Sequence, residues 1–407
     1  MGQWHRRTIG DLVTLQRGID LPTAQRRPGS VPVMGSFGIT GWHDEAACKG
    51  PGVIVGRSGA SAGVVSYIDR DYWPLNTCLY VRDFKGNHPR FAYYFLKTFD
   101  LAGLNSGSAQ PSLNRNFVHP VPAVFPDPAE QSVIASVLGA LDDKIELNRR
   151  MNETLEAMAR AIFKDWFVDF GPTRAKIEGR APYLAPDIWS LFPDRLDYEG
   201  KPEGWGESTI GQEVDVVGGS TPSTKETAFW NGDISWATPK DLSSLSTPVL
   251  LGTERQITDA GLGQISSGLL PVGTVLLSSR APIGYLAIAQ IPTAVNQGFI
   301  AMICKKRLSN VFVWLWTLAN METVHQNANG STFQEISKAN FRPIEVTVAT
   351  PGLLQAFDAT AVPLFDRIVS NEKETLTLAA TRDLLLPKLM SGEIRVKDAE
   401  TLVGEVA

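Results

Sequence analysis

DKIELNRRMNETL, residues 143–155, returns near the C-terminus as DRIVSNEKETLTL, residues 366–378. Both stretches carry Asp, a basic residue, Ile, Asn, Thr and Leu at the same relative positions, at an offset of 223 (366 − 143). Each has the composition of a long amphipathic helix, although Asn stands where a packed helix normally has Leu. The same unusual helix is therefore predicted twice in one chain.

A seam with alternating spacings of three and four residues runs along both predicted helices. An apolar repeat of about 3.5 residues is typical of coiled-coil helices. The first seam comprises Gln131, Ile134, Leu138, Leu141, Ile145, Asn148, Asn152, Leu155, Ala159, Ile162 and Trp166. The second seam comprises Leu354, Phe357, Ala361, Leu364, Ile368, Asn371, Thr375, Leu378, Arg382, Leu385 and Leu389.

Both seams become polar at the same central place, at Asn148 and Asn152 in one helix and at Asn371 and Thr375 in the other. A buried amide without a partner is costly, so an antiparallel pairing in which these groups bond one another would define the register. We therefore predict an antiparallel coiled coil with pseudo-twofold symmetry. The alternative interpretation is that each helix only covers its own domain.

The globular parts of the chain are also duplicated. WHRRTIGDLV (4–13) returns as WGESTIGQEV (205–214), and GVIVGRSGASAGVV (52–65) corresponds to GTVLLSSRAPIGYL (273–286). The second pair of blocks reads as a glycine turn and a buried strand, then an arginine and a glycine before another strand. The repeats predict two tandem domains of the α/β class (mixed α+β), separated by the two long helices.

The predicted division of the chain follows these repeats. Its segments are a first globular domain at 1–128, a long helix at 129–170, a Pro- and Gly-rich linker or ordered crossing at 171–203, a second globular domain at 204–351, a second long helix at 352–392 and a C-terminal tail at 393–407. Pro363 and Pro387 are expected to bend or shorten the second helix.

Composition argues against several classes of protein. The chain has 407 residues, 43% hydrophobic and 20% charged, as in ordinary globular proteins. Its three cysteines and five histidines show no metal or disulfide spacing, so we expect reduced thiols and no metal site. No apolar signal follows the polar N-terminus, and charged and Pro residues interrupt the apolar stretch 271–304. A cytoplasmic location is expected.

The distribution of charge permits a polyanionic partner. The net charge is −5, but residues 1–128 contain 13 Lys+Arg against 9 Asp+Glu. A locally basic face can bind phosphates whatever the total charge. Arg and Lys suit guanine edges and phosphates, whereas Gln suits adenine. The candidate DNA-binding residues on predicted loops are Arg26, Arg27, Lys49, Arg57, Gln110, Lys225, Lys240, Asp241, Arg280 and Gln297.

Arg57 and Arg280 are the preferred candidates because they occupy equivalent loops, GRSGAS and SSRAP, in the two halves. For any single residue, a surface ion pair or a turn cap is the competing interpretation.

Two common catalytic motifs are absent from the sequence. It contains no GxxxxGK[ST] and no [ND]PP[FYW] pattern. PDRLDYEGK (193–201) imitates a metal-dependent nuclease motif, but its Asp194 and Glu199 lie in the predicted linker. Nuclease carboxylates need a rigid sheet to hold the metal. A solvated linker is favoured, and a cryptic nuclease is the alternative.

The chain resembles the specificity subunit of type I restriction–modification systems. The resemblance covers nearly the whole chain. It rests on the W…TIG opening of each half, GPGVIVGRSG, WATPKDL, LLPVGTVLLSSRAPIGYLAIA and, most specifically, EQSVIASVLGALDDKIELNRRMNETLEAMARAIFKDWFVDFGP.

This resemblance implies a protein without catalysis of its own. Two target-recognition domains would each read one half of an interrupted DNA site, while the long helices set the gap and dock the methyltransferase subunits. The expected partners are double-stranded DNA, two adenine-methylating modification subunits and two translocating restriction subunits. S-adenosylmethionine, ATP and Mg²⁺ would belong to those partners, so no cofactor is expected in this chain. The further alternative is a coiled-coil scaffold whose globular ends bind proteins.

Overall fold

The computed structural model describes residues 4–104, 112–330 and 334–404. It divides into two compact units: unit 1 contains Met1–Glu146 and Thr375–Ala407, and unit 2 contains Leu147–Glu374. Both divisions fall inside the long helices, so each of these helices contributes residues to both units. The domain boundaries inferred from the sequence, which follow the helix ends, stay a prediction.

Unit 1 contains three sheets within its described residues. Its strands are β1 (Trp4–Thr8), β2 (Thr14–Arg17), β3 (Val31–Gly35), β4 (Gly38–His43), β5 (Gly52–Gly56), β6 (Val65–Ile68), β7 (Trp73–Pro74), β8 (Cys78–Asp83) and β9 (Pro122–Pro126). The four-stranded antiparallel sheet has the order β2–β8–β5–β6, and the three-stranded sheet has the order β4–β3–β7. β3 is antiparallel to β4 and parallel to β7, while β1 pairs antiparallel with β9.

Unit 2 repeats this arrangement with one additional strand. Its strands are β10 (Gly206–Thr209), β11 (Asp215–Val217), β12 (Trp230–Ala237), β13 (Val249–Leu250), β14 (Arg255–Ile257), β15 (Val275–Ser279), β16 (Ile283–Ala289), β17 (Ala294–Val295), β18 (Phe299–Ile303) and β19 (Glu345–Val348). The sheets have the orders β11–β18–β15–β16–β13, β14–β12–β17 and β10–β19. Strand β13 is an addition at one edge. The predicted duplication and the mixed α+β class are confirmed.

The helices complete the same pattern in both units. They are α1 (Ile9–Leu12), α2 (Pro89–Lys97), α3 (Arg115–Val118), α4 (Pro128–Phe163), α5 (Gly171–Ile177), α6 (Pro186–Ser190), α7 (Ile210–Glu213), α8 (Pro239–Ser243), α9 (Asp259–Leu262), α10 (Asn310–Ala319), α11 (Met321–Gln326), α12 (Lys338–Phe341), α13 (Pro351–Ser391) and α14 (Val396–Gly404). α2 packs on β5 and β6, and its counterpart α10 packs on β15 and β16. None of the helices in the described ranges is long and apolar enough to cross a membrane.

The Thr-Ile-Gly motif ends the first strand of each domain and contacts the turn that precedes the last strand. Ile9 is fully buried, and the amide of Gly10 donates to the carbonyl of His119 at 2.9 Å. The amide of Gly211 likewise donates to the carbonyl of Arg342 at 3.0 Å. A Cβ on Gly211 would approach the Cβ of Arg342 to 2.7 Å, so only glycine allows this close approach. The motif therefore reflects packing of the fold.

The second long helix passes through both of its prolines. α13 is helical from Pro351 to Ser391, so the expectation that Pro363 or Pro387 shortens it was wrong. Both prolines are exposed. Each proline lacks the amide N–H that would bond the carbonyl one turn earlier in the helix. That carbonyl lies on the exposed side of the helix, where it can accept a hydrogen bond from water instead.

Residues 171–203 are an ordered part of unit 2. They include α5 and α6, and Thr173, Ala175 and Phe192 are buried. Phe192 meets Trp166 edge-on at a ring-centroid distance of 5.2 Å. Aromatic packing therefore holds this segment although its sequence has no periodicity. Residues 393–404 include α14, whose Ala399 is buried in the core of unit 1.

The residues of both predicted seams face the interior. None of the seam positions is exposed; Thr375 and Arg382, among others, are half-buried. In unit 2, Asn152 of α4 contacts Asn371 of α13. Phe163, which comes later in α4, contacts Phe357, which comes earlier in α13. The helices therefore run antiparallel within unit 2, as predicted.

The helices also cover their own domains, as the alternative interpretation proposed. In unit 1, the hydroxyl of Tyr94 on α2 donates to Asp142 of α4 at 2.5 Å, and Arg90 forms an ion pair with Asp143 at 2.7 Å. Arg382 of α13 donates to Asp142 at 2.8 Å. Pairing of the helices and packing on the domain thus share one core, and the two interpretations are compatible.

The polar centre of the seam is an amide cluster in unit 2. Asn148, Asn152 and Asn371 are buried. Nδ2 of Asn371 donates to Oδ1 of Asn152 at 2.8 Å. Nδ2 of Asn152 donates to Glu372 at 2.9 Å, and Nδ2 of Asn148 donates to Glu374 at 2.8 Å. The amides therefore meet across the helix pair. Their role in setting register stays a prediction.

Candidate nucleic-acid interface

An open, polar cleft of about 900 Å³ lies beside the four-stranded sheet of unit 1. It forms where β2 ends, where the chain leaves β5 and where α3 begins. Its lining residues are Gln16, Arg17, Gly18, Asp20, Arg57, Asn76, Leu79, Arg82, Ser112, Leu113, Asn114 and Arg115. We call it the arginine cleft.

The arginine cleft is strongly basic. Arg17, Arg57, Arg82 and Arg115 line it, against one carboxylate, Asp20. Within the described ranges, Arg17, Arg57 and Arg115 form no ion pair, so their charge is not neutralised there. Such a concentration of guanidinium groups attracts phosphates and can bind guanine edges in a bidentate manner.

Hydrogen bonds orient the other polar groups of the cleft. Nδ2 of Asn76 donates to Asp20 at 2.9 Å, and Arg82 donates to Oε1 of Gln16 at 3.3 Å. The side chain of Asn114 caps the first turn of α3 by accepting from a backbone amide at 3.0 Å. These bonds restrict the side chains and prepare them for a ligand.

The strand register shows that Arg57 and Arg280 lie in equivalent loops but at different positions. The amide of Leu113 donates to the carbonyl of Arg57 at 2.8 Å, and the amide of Ile336 donates to the carbonyl of Ser279 at 3.0 Å. The register in which β5 pairs with β8 is the same as the register in which β15 pairs with β18. Ser279 is therefore the counterpart of Arg57. In extended chain, a shift of one residue turns a side chain to the opposite face.

The equivalent region of unit 2 has different chemistry. The counterparts of Arg17, Arg57, Arg82 and Arg115 are, in that order, Gly218, Ser279, Ile303 and Lys338. A Cβ on Gly218 would lie 3.0 Å from Nζ of Lys338. One lysine thus stands where the other domain has four arginines.

Four predicted cations have carboxylate partners within the protein. Ion pairs join Arg27 to Asp44 (2.7 Å), Lys49 to Asp71 (2.6 Å), Lys240 to Glu254 (2.7 Å) and Arg280 to Glu335 (3.7 Å). The hydrogen bond from Arg27 lowers the pKa of Asp44, and the one from Lys49 lowers the pKa of Asp71. To bind DNA, these cations would have to exchange their carboxylate partners for groups of the DNA.

Two predicted polar readers make local side-chain bonds. Asp241 is the last residue of a capping box that begins at Thr238: its carboxylate accepts from the amide and the hydroxyl of Thr238 at 2.7 Å. It also accepts from the amide of Glu254 at 2.7 Å. Oε1 of Gln297 accepts from the hydroxyl of Thr221 at 2.6 Å, and Gln297 itself is exposed.

The three other candidates differ in their surroundings. Arg26 is half-buried, and its Nη1 donates to the carbonyl of Thr40 at 3.1 Å. Lys225 is exposed. Gln110 lies outside the described residues. Of the nine candidates that the structure describes, only Arg57 lines the arginine cleft.

Sequence reasoning missed Arg17, Arg82 and Arg115, which complete the cleft. They are far apart in the chain and come together because β2 pairs with β8 and because α3 begins beside β5. The available signal was the excess of basic residues in 1–128, which indicated a basic face without locating it.

The nuclease-like stretch forms a tight turn. Oδ1 of Asp197 accepts from the amides of Glu199 and Lys201, both at 2.9 Å. Glu199 forms an ion pair with Lys201 at 3.0 Å, and Asp194 lies 3.5 Å from Arg195. No cluster of three or more His, Cys, Asp or Glu suited to a metal ion occurs in the described ranges. The carboxylates of this stretch are thus engaged in turn and ion-pair contacts.

Comparison with known proteins gives a consistent match. The model of the type I restriction modification DNA specificity domain matches residues 1–157 and 202–375. The MjaIX specificity subunit of Methanocaldococcus jannaschii is 38% identical over 188 residues, which are 46% of this chain and 43% of that subunit. The HindI specificity subunit of Haemophilus influenzae is 26% identical over 329 residues, 70% of this chain and 71% of that subunit.

One solved structure shares the fold over most of the chain. The type I restriction–modification S subunit from M. genitalium aligns with a TM-score of 0.62 at 17% identity. The alignment covers 95% of this chain and 96% of that one. The similarity concerns the fold.

Proposed function

Because this chain belongs to the family of the type I restriction modification DNA specificity domain, we propose that it is the DNA-reading subunit of a type I restriction–modification complex. Each globular domain recognises one half of a bipartite site on double-stranded DNA. Catalysis belongs to partner subunits, and this chain supplies sequence recognition and a frame for assembly.

The observation that carries the proposal is the contrast between the two domains. They share one strand order, yet the same region presents four arginines in unit 1 and a single lysine in unit 2. Duplicated scaffolds with different polar groups are suited to reading two different half-sites. A protein whose ends bound one symmetric partner would have no need for this difference.

The partners in this proposal are modification and restriction subunits, two of each. The methyltransferase subunits dock on the long helices and bring S-adenosylmethionine to the DNA. The restriction subunits bring ATP and Mg²⁺. This chain holds none of these cofactors, and its own residues orient the complex on the site.

The long helices set the spacing between the half-sites. Support comes from their continuity, since α4 covers Pro128–Phe163 and α13 covers Pro351–Ser391, and from the buried amides of their seam. A helix has a fixed rise of about 1.5 Å per residue, so its length is a well-defined distance.

Methylation mapping tests the function directly. The chain is co-expressed with its modification subunits in a host without adenine methylation, and methylated adenines are mapped across the genome. We expect one bipartite sequence with a constant spacer. Methylation without such a sequence, or none above the level of the modification subunits alone, would contradict the proposal.

Binding and cleavage assays separate the two alternatives. A protein-binding scaffold predicts no shift of duplex DNA when modification subunits are supplied, whereas the proposal predicts one. A cryptic nuclease predicts DNA cleavage by the purified chain with Mg²⁺, whereas the proposal predicts none.

A further inference from the structure

An exposed arginine in unit 2 lies on two tryptophan rings. The guanidinium carbon of Arg255, on β14, is 3.5 Å from the ring centroid of Trp230 and 5.5 Å from that of Trp236. Both tryptophans are buried, while Arg255 is exposed. A guanidinium stacked in this way loses little conformational freedom when it binds a ligand.

The tryptophan platform is rigid. The indole N–H of Trp230 donates to the carbonyl of Ser223 at 3.0 Å, and that of Trp236 donates to the carbonyl of Ser220 at 3.2 Å. The two rings meet edge-on at 5.1 Å. Arg255 stands directly opposite Trp236 in the pairing of β12 with β14. Strand pairing and side-chain bonds therefore determine the position of the guanidinium.

The donors of Arg255 are not used by any residue that the structure describes. Across the described ranges, its side chain forms no ion pair and donates no hydrogen bond. The neighbouring carboxylate, Glu254, is engaged by Lys240 at 2.7 Å. Stacking occupies the face of a guanidinium and leaves its in-plane N–H groups available. Such a fork matches the O6 and N7 acceptors of guanine.

The first domain places an arginine at the same point of its sheet by another route. Val33 is the counterpart of Trp236, because each is the first residue of its strand in the parallel pairing, of β3 with β7 and of β12 with β17. Opposite Val33 stands Gly41, and a Cβ on Gly41 would lie 2.7 Å from Nη1 of Arg26. A guanidinium therefore covers the same position of both three-stranded sheets, although the arginines come from unrelated positions in the repeat.

We propose that Arg255, supported by Trp230 and Trp236, is a specificity-determining residue that binds the edge of a guanine in the half-site read by the second domain. The inference rests on the proposed function and assigns a base to one of its two half-sites. The tryptophans act as positioning residues, since they hold the guanidinium without meeting the DNA.

The test uses the full chain in complex with its modification subunits. Arg255→Lys keeps the charge but removes the fork, and Arg255→Met keeps an apolar cover over the tryptophans. The control is Arg180→Ala, which removes an exposed cation of the same unit that is not among the candidate DNA-binding residues and is paired with Glu178. Methylated sites are mapped for each variant, and binding is measured on duplexes that carry each base at every position of the mapped site.

We expect both Arg255 variants to lose a guanine preference at one position of one half-site, by about tenfold to a hundredfold. The other half-site and the spacer should be unchanged, and Arg180→Ala should keep the wild-type preference. The complex with Arg255→Met should unfold at the wild-type temperature.

Three results would overturn the inference. The first is an unchanged base preference in both variants. The second is a uniform loss of affinity for all duplexes with a weaker salt dependence, which indicates a phosphate contact. The third is a lowered unfolding temperature together with loss of both half-sites, which indicates a structural cover. If the wild-type complex itself recognised no bipartite sequence, the proposed function would fail as well.

Discussion

Arg57 shows how one side chain in the arginine cleft is positioned. It follows β5 directly, its carbonyl accepts from Leu113 at 2.8 Å, and its side chain shares the cleft with Arg17 and Arg115. None of these three arginines forms an ion pair within the described ranges, so a phosphate or base can engage them without breaking a protein contact. Cations that already hold a carboxylate, such as Lys49, gain less from the same ligand.

Arg57→Ala should weaken DNA binding by the complex by about 1–3 kcal/mol. A base contact would change the preference at one position, whereas a phosphate contact would weaken all sequences alike and reduce the salt dependence. The measurement is duplex binding at several salt concentrations. Arg70→Ala is the matched control, because Arg70 is paired with Asp69 outside the cleft. Equal behaviour of the two variants would remove Arg57 from the interface.

Glu213 and Arg307 form an ion pair in unit 2, and the contribution of this pair to stability should depend on pH. The carboxylate is almost fully buried and accepts from Arg307 at 2.6 and 2.8 Å. The hydrogen bond from Arg307 lowers the pKa of Glu213 below its ordinary value of 4.5. A carboxyl whose pKa is lower in the folded state stabilises that state above pH 4.5, and this contribution is lost as the pH falls through the lowered pKa.

Arg307→Met should therefore destabilise unit 2 at pH 7 by about 1–2 kcal/mol, because it leaves a buried carboxylate without its partner; the exposure of Arg307 limits the loss. The difference from wild type in thermal unfolding should shrink as the pH falls below 4.5. Lys305→Met, at an exposed neighbour, is the control and should change little at either pH. A difference that stays constant with pH would contradict this account.

At the scale of elements, the long helices combine apolar and polar burial in one seam. Their seams carry buried apolar residues, and they also carry the amides of Asn148, Asn152 and Asn371. Buried polar groups in a helix seam lower stability and favour the one register in which they bond each other. The predicted role in register would explain why these positions carry asparagine where leucine would pack better.

Replacing Asn148, Asn152 and Asn371 together with Leu should raise the stability of the helix pair by roughly 1–4 kcal/mol, because amides give way to apolar burial. Register should be less strictly defined, so methylation mapping should show a mixture of spacers. A triple substitution at exposed helix positions, Leu147, Met158 and Leu376 to Ala, serves as control. A lower unfolding temperature in the Leu variant would show that the amide cluster stabilises the pair.

At the scale of the whole molecule, each long helix supplies residues to both compact units. A change of helix length must therefore be made in both helices, since lengthening one alone would disturb the antiparallel seam. The suitable sites lie between Glu146 and Leu147 and between Glu374 and Thr375, because the two compact units divide there.

Inserting four helix-forming residues at both sites should lengthen the spacer of the recognised sequence. Four residues add about 6 Å and 400° of rotation, which nearly preserves the facing of the helix. This rise is close to two base-pair steps of about 3.4 Å. Methylation mapping should return the same half-sites with a longer spacer. The same four residues after Gly179, in an exposed turn, should leave the spacer as it is. Altered half-sites would show that the helices are not the ruler.

The purified chain alone should neither methylate nor cleave DNA, because those reactions are assigned to its partners. The measurement is transfer of labelled methyl groups from S-adenosylmethionine and loss of intact plasmid with Mg²⁺ and ATP. Adding modification subunits should restore methylation. Activity that co-purifies with the chain at constant specific activity would contradict the assignment.

Sequence alone was sufficient for features that depend on local period and self-similarity. The 3.5-residue spacing predicted the buried seam, because a helix presents every third or fourth residue to one side whatever surrounds it. The repeated blocks predicted two domains of one fold, since similar sequences form similar sheets. The family resemblance rested on the same long helix.

Tertiary structure decided which side chains share a surface. Arg17, Arg57 and Arg82 come together through the pairing of β2, β5 and β8, and a one-residue offset separates Arg57 from the counterpart of Arg280. The stack of Arg255 on two tryptophans likewise depends on the register between β12 and β14. Strand pairing joins residues that are distant in the chain, and a shift of one position reverses the face on which a side chain lies. A local sequence pattern therefore predicts neither the strand pairing nor the face on which a side chain lies.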